Sequence, residues 1–207
     1  MGAQAEVATT SPSRVILASG SPRRRELLAR LGLRFEVRTS GVDETPGQGE
    51  AALDLVSRLA MAKAAAVEVD HDALKIAADT VVEIDGMALG KPADRADGRA
   101  MLARLSGRDH RVHTAVALVR GTASSIEVVT TVVTMQPYTS RDIDWYLDLG
   151  EWHDKAGAYA IQGAGGALVS RIEGSYSNVV GLPLAETIAA ARRLGVDLLA
   201  SAPGPGR

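Results

Sequence analysis

The sequence of 207 residues contains no cysteine, which excludes disulfide bonds, zinc–thiolate sites and a cysteine nucleophile. Aromatic residues make up only 3% of the chain and the formal net charge is −2, which disfavours both a stacking surface for single strands and broad electrostatic capture of nucleic acid. Apolar runs of membrane-spanning length are also missing. We therefore expect a cytoplasmic protein without nucleic-acid or membrane partners, in which a local basic cluster can still hold a small anion.

The two ends of the chain differ in composition from the rest. Residues 1–13 are small and polar and lack the apolar stretch of a signal peptide, and residues 201–207 are rich in proline and glycine. We predict a disordered leader at 1–13, a single catalytic domain at 14–200 and a disordered tail at 201–207. The central length is sufficient to bury a sizeable core.

Within the central part, strand and helix patterns alternate. Apolar or alternating runs predict strands at residues 15–18, 35–37, 76–84, 87–89, 112–119, 126–135, 158–161 and 167–172. Capping residues, amphipathic spacing and glycine stops predict helices at residues 22–31, 50–69, 94–105, 139–147 and 183–194. The Asp85-Gly86 pair predicts a hairpin turn. Alternating helices and strands with added hairpins indicate an α/β fold with a mixed central sheet.

The segment after the first predicted strand indicates an anion site. Ser19-Gly20 turns the chain, Ser21 suits a helix N-cap and Pro22 suits the first helical position. Free backbone N–H groups would then point outward at the helix N-terminus. The arginines at residues 23–25 oppose the helix dipole, and a bound anion would reverse that effect. A solvated basic helix start is the alternative; we favour the phosphate site because turn, cap and charge coincide.

Two acidic segments are candidates for metal binding or general-base chemistry. Asp79-Thr80 interrupts the apolar run 76–82, where a buried carboxylate is costly unless it is paired or binds a metal. An aspartate at a strand end that bonds a loop explains the same pattern equally well. Asp43 and Glu44 lie in a predicted loop, where solvated carboxylates are usual. Combined with Asp79, they would supply the oxygen ligands that hard divalent cations prefer.

Lys63, Lys91 and Gln162 each have an ordinary interpretation when taken alone. Lys63 falls on the apolar side of its predicted helix, which is typical of a lysine whose head group extends to water. Lys91 lies in a Gly-Lys-Pro connection typical of a surface loop, and Gln162 lies in a glycine-rich connection. The functional alternatives are a lysine inside a cleft, a lysine on a phosphate and an amide that reads a base edge.

The histidines and tryptophans are interpreted as structural. His110 and His113 lie three residues apart in a predicted strand and should point to opposite faces, which is wrong for a shared metal. Trp145 and Trp152 are predicted to be core or packing residues.

Taken in order along the chain, these segments resemble one known family closely. The run 17–28 is similar to the amino-terminal signature of Maf proteins. Further matching segments follow in the same order at residues 42–44, 78–82, 90–92, 101–107, 154–163, 172–176 and 180–184. Each motif is modest, but the ordered set covers residues 15–194 and is specific.

The resemblance implies a fold and a reaction. Maf proteins have a mixed sheet flanked by helices in two lobes around a cleft, as inosine triphosphate pyrophosphatases do, and they often form homodimers. They hydrolyse nucleoside triphosphates between the α- and β-phosphates with a divalent cation, Mg²⁺ or Mn²⁺. By motif, Asp79 is the proton acceptor that activates water, and Glu44 joins it as a metal ligand. Substrate-binding roles are implied for Ser19, Arg23, Arg24, Lys63, Thr80, Lys91 and Gln162.

The resemblance also implies a branch of the family. Arg23, Thr80 and Gln162 match positions linked to base choice, and residues 154–163 resemble the branch that acts on dTTP and UTP. The branch that prefers 7-methyl-GTP has serine and glutamate at the positions of Lys155 and Gln162. Two alternatives stay open: a nucleotide-binding regulator of septum formation without turnover, and a pyrophosphatase for modified purine triphosphates.

Overall fold

The computed structural model describes residues 14–200, so the predicted leader and tail lie outside the described residues. One seven-stranded mixed sheet forms the centre. Its strands are Val15–Leu17 (β1), Glu36–Val37 (β2), Leu74–Ile84 (β3), Met87–Leu89 (β4), Asp109–Arg120 (β5), Ala123–Met135 (β6) and Val169–Glu173 (β7). The order is β2-β1-β3-β5-β6-β7, and β4 also pairs with β3. β1 is parallel to β2 and β3, whereas the other pairs are antiparallel, which confirms the predicted α/β class.

Helices cover both faces of this sheet. They are Pro22–Ala29 (α1), Ala52–Ala65 (α2), Arg95–Leu105 (α3), Ser140–Asp148 (α4), Tyr176–Val180 (α5) and Leu184–Arg193 (α6). The predicted N-caps Ser21 and Asp94 accept the backbone N–H groups of their first turns, and Thr139 forms a capping box with Asp142.

The cleft of the molecule begins as a gap along β3. On one edge, β3 pairs with β1 over Leu74–Ile76 and with β4 over Val82–Ile84. Within the described chain, this edge of β3 therefore has no strand partner over residues 77–81. Because side chains alternate along a strand, the polar residues of this stretch face opposite sides of the sheet.

Two hydrophobic cores on one face of the sheet correspond to the two predicted lobes. Leu74 and Ile76 pack in a core with α1 and α6, whereas Val82 and Ile84 pack in a core with α3 and α4. A third core on the opposite face joins α2 to β3 and β5. The gap in β3 pairing lies between the first two cores, so the prediction of two lobes around a cleft is confirmed.

Two elements differ from their predictions, one in its bounds and the other in its type. The helix predicted at 50–69 begins later because the Glu50 carboxylate accepts the Gly47 backbone N–H and binds Arg58. It ends at Ala65, and Lys75 Nζ then donates to the carbonyl of Val67. The predicted strand 158–161 is instead a 3₁₀ turn, Ala156–Ala158, followed by a loop.

Two further details differ from the sequence predictions. The helix α5, which begins after its cap Ser175, was not predicted. Trp152 is buried and donates Nε1–H to the carbonyl of Leu147, as expected of a core residue. Trp145 is 46% exposed, so of the two predicted alternatives it is a packing residue outside the core, with its ring near that of Tyr146. No helix within residues 14–200 is both long and apolar enough to cross a membrane.

Candidate active site

A cleft of about 1130 Å³ lies over the unpaired edge of β3. It brings together all nine site residues predicted from the sequence: Ser19, Arg23, Arg24, Glu44, Lys63, Asp79, Thr80, Lys91 and Gln162. Asp43, the other member of the acidic pair, folds back on its own loop, where it accepts hydrogen bonds from Thr45. Glu44 alone of that pair therefore faces the cleft.

Arg24 is held from three sides within the first turn of α1. Its Nε donates to the carbonyl of Gly181 at 2.8 Å, Nη1 donates to Ser19 Oγ at 3.2 Å and Nη2 donates to Thr80 Oγ1 at 3.0 Å. Burial lowers the pKa of Arg24, while the charge of Asp79 raises it, and a guanidinium stays charged under such shifts. A fixed, partly desolvated cation thus stands at a helix N-terminus, where anions bind favourably.

Arg23 lies on the side of the cleft that Asp154 and Lys155 also line. Burial lowers its pKa, and the nearby carboxylate of Asp154 opposes that shift. Lys155 belongs to the same wall, and burial together with the charge of Arg23 lowers the pKa of its ammonium group. Two cations held close together in this way gain from the arrival of an anion between them.

Lys63 joins the two carboxylates of the site. Its Nζ lies 2.5 Å from Glu44 Oε1 and 2.7 Å from Asp79 Oδ1, and the lysine side chain is 8% exposed. The interpretation of Lys63 as a lysine that extends to water is therefore wrong: α2 packs flat on the sheet, and Asp79 lies on the same face of β3. Lys91 Nζ binds the other oxygen of Glu44 at 3.1 Å, so it is a cleft residue although its side chain is exposed.

The charge of Glu44 is favoured by these contacts. Partial burial raises the pKa of its carboxyl group, but the hydrogen bonds and charges of Lys63 and Lys91 outweigh this effect and lower the pKa overall. Glu44 is therefore a carboxylate near neutral pH, and it shares one cation with Asp79.

Gln162 lies on a loop that hydrogen bonds to two other side chains hold in place. The Glu151 carboxylate accepts the backbone N–H groups of Ala164 at 3.1 Å and Gly165 at 3.3 Å. The hydroxyl of Tyr146 accepts the N–H of Ala160 at 3.0 Å. Sequence reasoning missed Glu151, because it follows a helix-ending glycine and nothing in its neighbourhood marks it as a partner of the glycine-rich loop.

His110 and His113 do not line the cleft. His110 Nε2 pairs with Tyr159 Oη at 2.8 Å, and burial lowers its pKa to about 4. His113 Nδ1 pairs with Thr130 Oγ1. Their structural interpretation fits these contacts.

The family model for "Maf-like protein" matches residues 14–194. The chain belongs to the Maf family. Its Maf relatives include proteins named dTTP/UTP pyrophosphatase. One from Myxococcus xanthus (strain DK1622) is 54% identical over 89% of this chain and 94% of its own length. Another from Symbiobacterium thermophilum is 48% identical over 92% of this chain and 98% of its own length.

Proposed function

We propose that this Maf protein hydrolyses dTTP and UTP to the nucleoside monophosphate and pyrophosphate. The observation that carries the proposal is the meeting of Asp79, Glu44 and Lys63 with the buried Arg24 in one cleft. The names of the relatives, each dTTP/UTP pyrophosphatase, support the choice of substrate.

In this proposal Asp79 accepts the proton of the attacking water. Its Oδ1 is bound by Lys63, which leaves Oδ2 to take the proton. Attack at the α-phosphorus, in line with the bond to the β-phosphate, would release pyrophosphate. The position of Asp79 on the unpaired edge of β3, fixed by Lys63, suits it to orient water, because general-base chemistry needs the base within hydrogen-bond reach.

The basic residues would hold the triphosphate. Arg24 and Ser19 stand at the α1 N-terminus, and Lys63 and Lys91 line the same cleft. Phosphate ester and anhydride cleavage depends mainly on positioning and on stabilising charge in the transition state. Arg24 contributes most when its direction is fixed, and its three hydrogen bonds fix it.

The donor set also fits a divalent cation. Glu44 and Asp79 are carboxylates within 2.7 Å of the same Lys63 nitrogen, so they can approach one cation together. Mg²⁺ usually binds one or two carboxylates and completes its shell with water and phosphate oxygens. A bound Mg²⁺ or Mn²⁺ would neutralise phosphate charge and lower the pKa of a coordinated water.

We propose that selection of the nucleotide base depends on the side of the cleft that Gln162, Arg23 and Lys155 line. Gln162 offers a donor and an acceptor on a braced loop, and Arg23 and Lys155 stand nearby in the lining. Thr80 also lines the cleft, but its hydroxyl is engaged by Arg24. A homodimer and a cytoplasmic location remain predictions.

Pyrophosphate release from a panel of nucleoside triphosphates tests this proposal, with Mg²⁺, with Mn²⁺ and with chelator. We expect fast, metal-dependent release from dTTP and UTP and slow release from 7-methyl-GTP and from modified purine triphosphates. Asp79→Asn should lower kcat by at least about 10²-fold while nucleotide binding persists. Release retained in Asp79→Asn would refute its role as the base. Tight binding without turnover of any nucleotide would leave the regulator as the better function.

A further inference from the structure

The sequence motif around residues 172–184 has no role in the chemistry above, yet it lies directly behind Arg24. Gly181 ends α5, and its carbonyl accepts the Arg24 Nε–H. Three residues earlier on the same short helix, the carbonyl of Asn178 accepts a hydrogen bond from Thr114 Oγ1 at 3.0 Å. Thr114 is fully buried, is not part of the cleft lining, and is the cross-strand partner of Thr80.

The protons of the two threonines can be placed by elimination. A hydroxyl has one hydrogen to donate. Thr114 gives its hydrogen to the Asn178 carbonyl, so in the 2.9 Å contact between the two hydroxyls Thr80 must be the donor. The lone pairs of Thr80 Oγ1 then point toward Arg24 Nη2, which donates to it at 3.0 Å. The buried Thr114 therefore sets the direction of the hydroxyl that holds the arginine.

Asn178 holds α5, the helix at the other end of this series of hydrogen bonds, in place. Its Nδ2 donates to the carbonyl of Val112 at 3.0 Å and to Thr131 Oγ1 at 2.9 Å, and the residue is fully buried. Thr131 in turn binds the backbone of Ser175, the N-cap of α5. The helix that offers both carbonyls is thus tied to β5 and β6 rather than free to shift.

We propose that Thr114 is a positioning residue of this site: by orienting the Thr80 hydroxyl it holds the Arg24 guanidinium toward the phosphates. This inference rests on the proposed function for the identity of the ligand. Without the Thr114 hydroxyl, the hydrogen of Thr80 loses its acceptor, the group can rotate, and Arg24 loses one of its three fixed partners.

The test measures binding, so that it does not depend on turnover. The probe is dTTP with NH in place of the oxygen between its α- and β-phosphates, titrated by calorimetry with Mg²⁺ present. Thr114→Val should weaken its affinity roughly tenfold, the factor expected for one hydrogen bond to a charged group. Thr114→Ser, which keeps the hydroxyl, should bind within about twofold of the unsubstituted protein.

Two controls separate positioning from general destabilisation. Thr187 of α6 is another fully buried threonine, and its hydroxyl donates to the carbonyl of Pro183, the N-cap of that helix. Thr187→Val should lower thermal stability without changing affinity for the probe. If Thr114→Val does not fold, Thr114→Ala removes the same hydroxyl with less steric demand.

A double-mutant cycle with Arg24→Gln tests whether the loss of affinity in Thr114→Val is transmitted through Arg24. If Thr114 acts through Arg24, Thr114→Val should change affinity less than twofold in the Arg24→Gln background. An equal loss in both backgrounds, or normal binding by folded Thr114→Val, would overturn the inference. The predicted binding pattern in a protein that releases no pyrophosphate would support the inference and refute the proposed hydrolysis.

Discussion

Lys63 lies between two carboxylates, in the position that a divalent cation bound to both of them would also occupy. Its nitrogen lies 2.5 Å from Glu44 and 2.7 Å from Asp79, and the Asp79 side chain is only 11% exposed. We predict that Lys63→Met destabilises the nucleotide-free protein and strengthens its affinity for Mn²⁺. The neutral methionine fills similar space but removes the cation that lies between the two carboxylates, although Lys91 still pairs with Glu44.

The distances at this site determine how much stability Lys63→Met should lose. The two carboxylate oxygens can be no more than about 5 Å apart, and at that distance two unit charges repel by about 3 kcal/mol at an effective dielectric constant of 20. Partial exposure of Glu44 reduces this value, so we expect a loss of about 2–3 kcal/mol in stability at neutral pH. For a domain of this size that corresponds to a fall in Tm of about 4–12 °C.

Thermal unfolding and Mn²⁺ titration of nucleotide-free protein provide the assay. In Lys63→Met, Mn²⁺ should bind at least about tenfold more tightly than in the unsubstituted protein, because no ammonium group has to be displaced. It should also restore much of the lost Tm by binding the native state.

Lys91→Met is the matched control for this prediction. It removes the same charge from the same cleft, but Lys91 is 58% exposed and, among the described residues, forms an ion pair with Glu44 and not with Asp79. It should cost less than about 1 kcal/mol and leave Mn²⁺ affinity within about threefold of the unsubstituted protein. Equal stability and equal Mn²⁺ affinity in the two variants would refute the idea that Lys63 holds the carboxylate pair together.

Two further predictions concern residues outside the phosphate end of the cleft. Glu151→Gln has one acceptor oxygen fewer for the backbone of the Gln162 loop, so KM for dTTP should rise about three- to tenfold with little change in kcat; an unchanged KM would contradict the bracing role. His110 is neutral in the fold down to about pH 4 but protonates near pH 6.5 when unfolded. Native stability should therefore fall by up to about 3 kcal/mol as the pH drops from 6.5 to 4. In urea unfolding, His110→Gln should lack this component; identical pH profiles would show that His110 does not cause it.

The sequence predicts the parts of this fold that local chemistry determines. Three helices begin after residues whose side chains accept hydrogen bonds from free N–H groups of the first turn. These N-caps are Ser21, Asp94 and Thr139. Asp85-Gly86 turns the chain between β3 and β4 because both residues adopt positive φ. These signals need no information from distant residues.

Errors arise where distant contacts decide the conformation. The segment predicted as a strand at 158–161 has the right residues for one, but the Ala160 N–H bonds Tyr146 from α4 and Gly157 packs against Val82 of β3. Lys63 has the spacing of a lysine that extends to water, and only the position of Asp79 beneath α2 turns it inward. Nothing within a few residues of either site carries that information.

The same reasoning explains why motifs located the cleft although single residues did not. Apart from the segment 19–25, where the sequence favours a phosphate site, each candidate side chain viewed alone has an ordinary explanation that is at least as good. Their order along the chain pointed to one family, and the sheet topology brings them together because β1 and β4 leave the middle of β3 open. The order of motifs could not supply the contacts of Thr114, which lies behind the cleft, or those of Glu151, which lines it, since neither belongs to a recognised segment.

The charge balance of the cleft bears on how substrate would arrive. Of the described residues, six cationic and five anionic side chains line it, so the cleft as a whole is nearly neutral. A triphosphate with about four negative charges would find too little net positive charge in such a lining unless it entered with a counter-cation. Arg24 is committed to Gly181, Ser19 and Thr80, and Lys63 is committed to two carboxylates. A cation that accompanied the nucleotide could take the carboxylates from Lys63 and thereby release its ammonium group toward a phosphate. The acidic pair would then do more than bind a metal: it would keep the lysine in place until the substrate arrives.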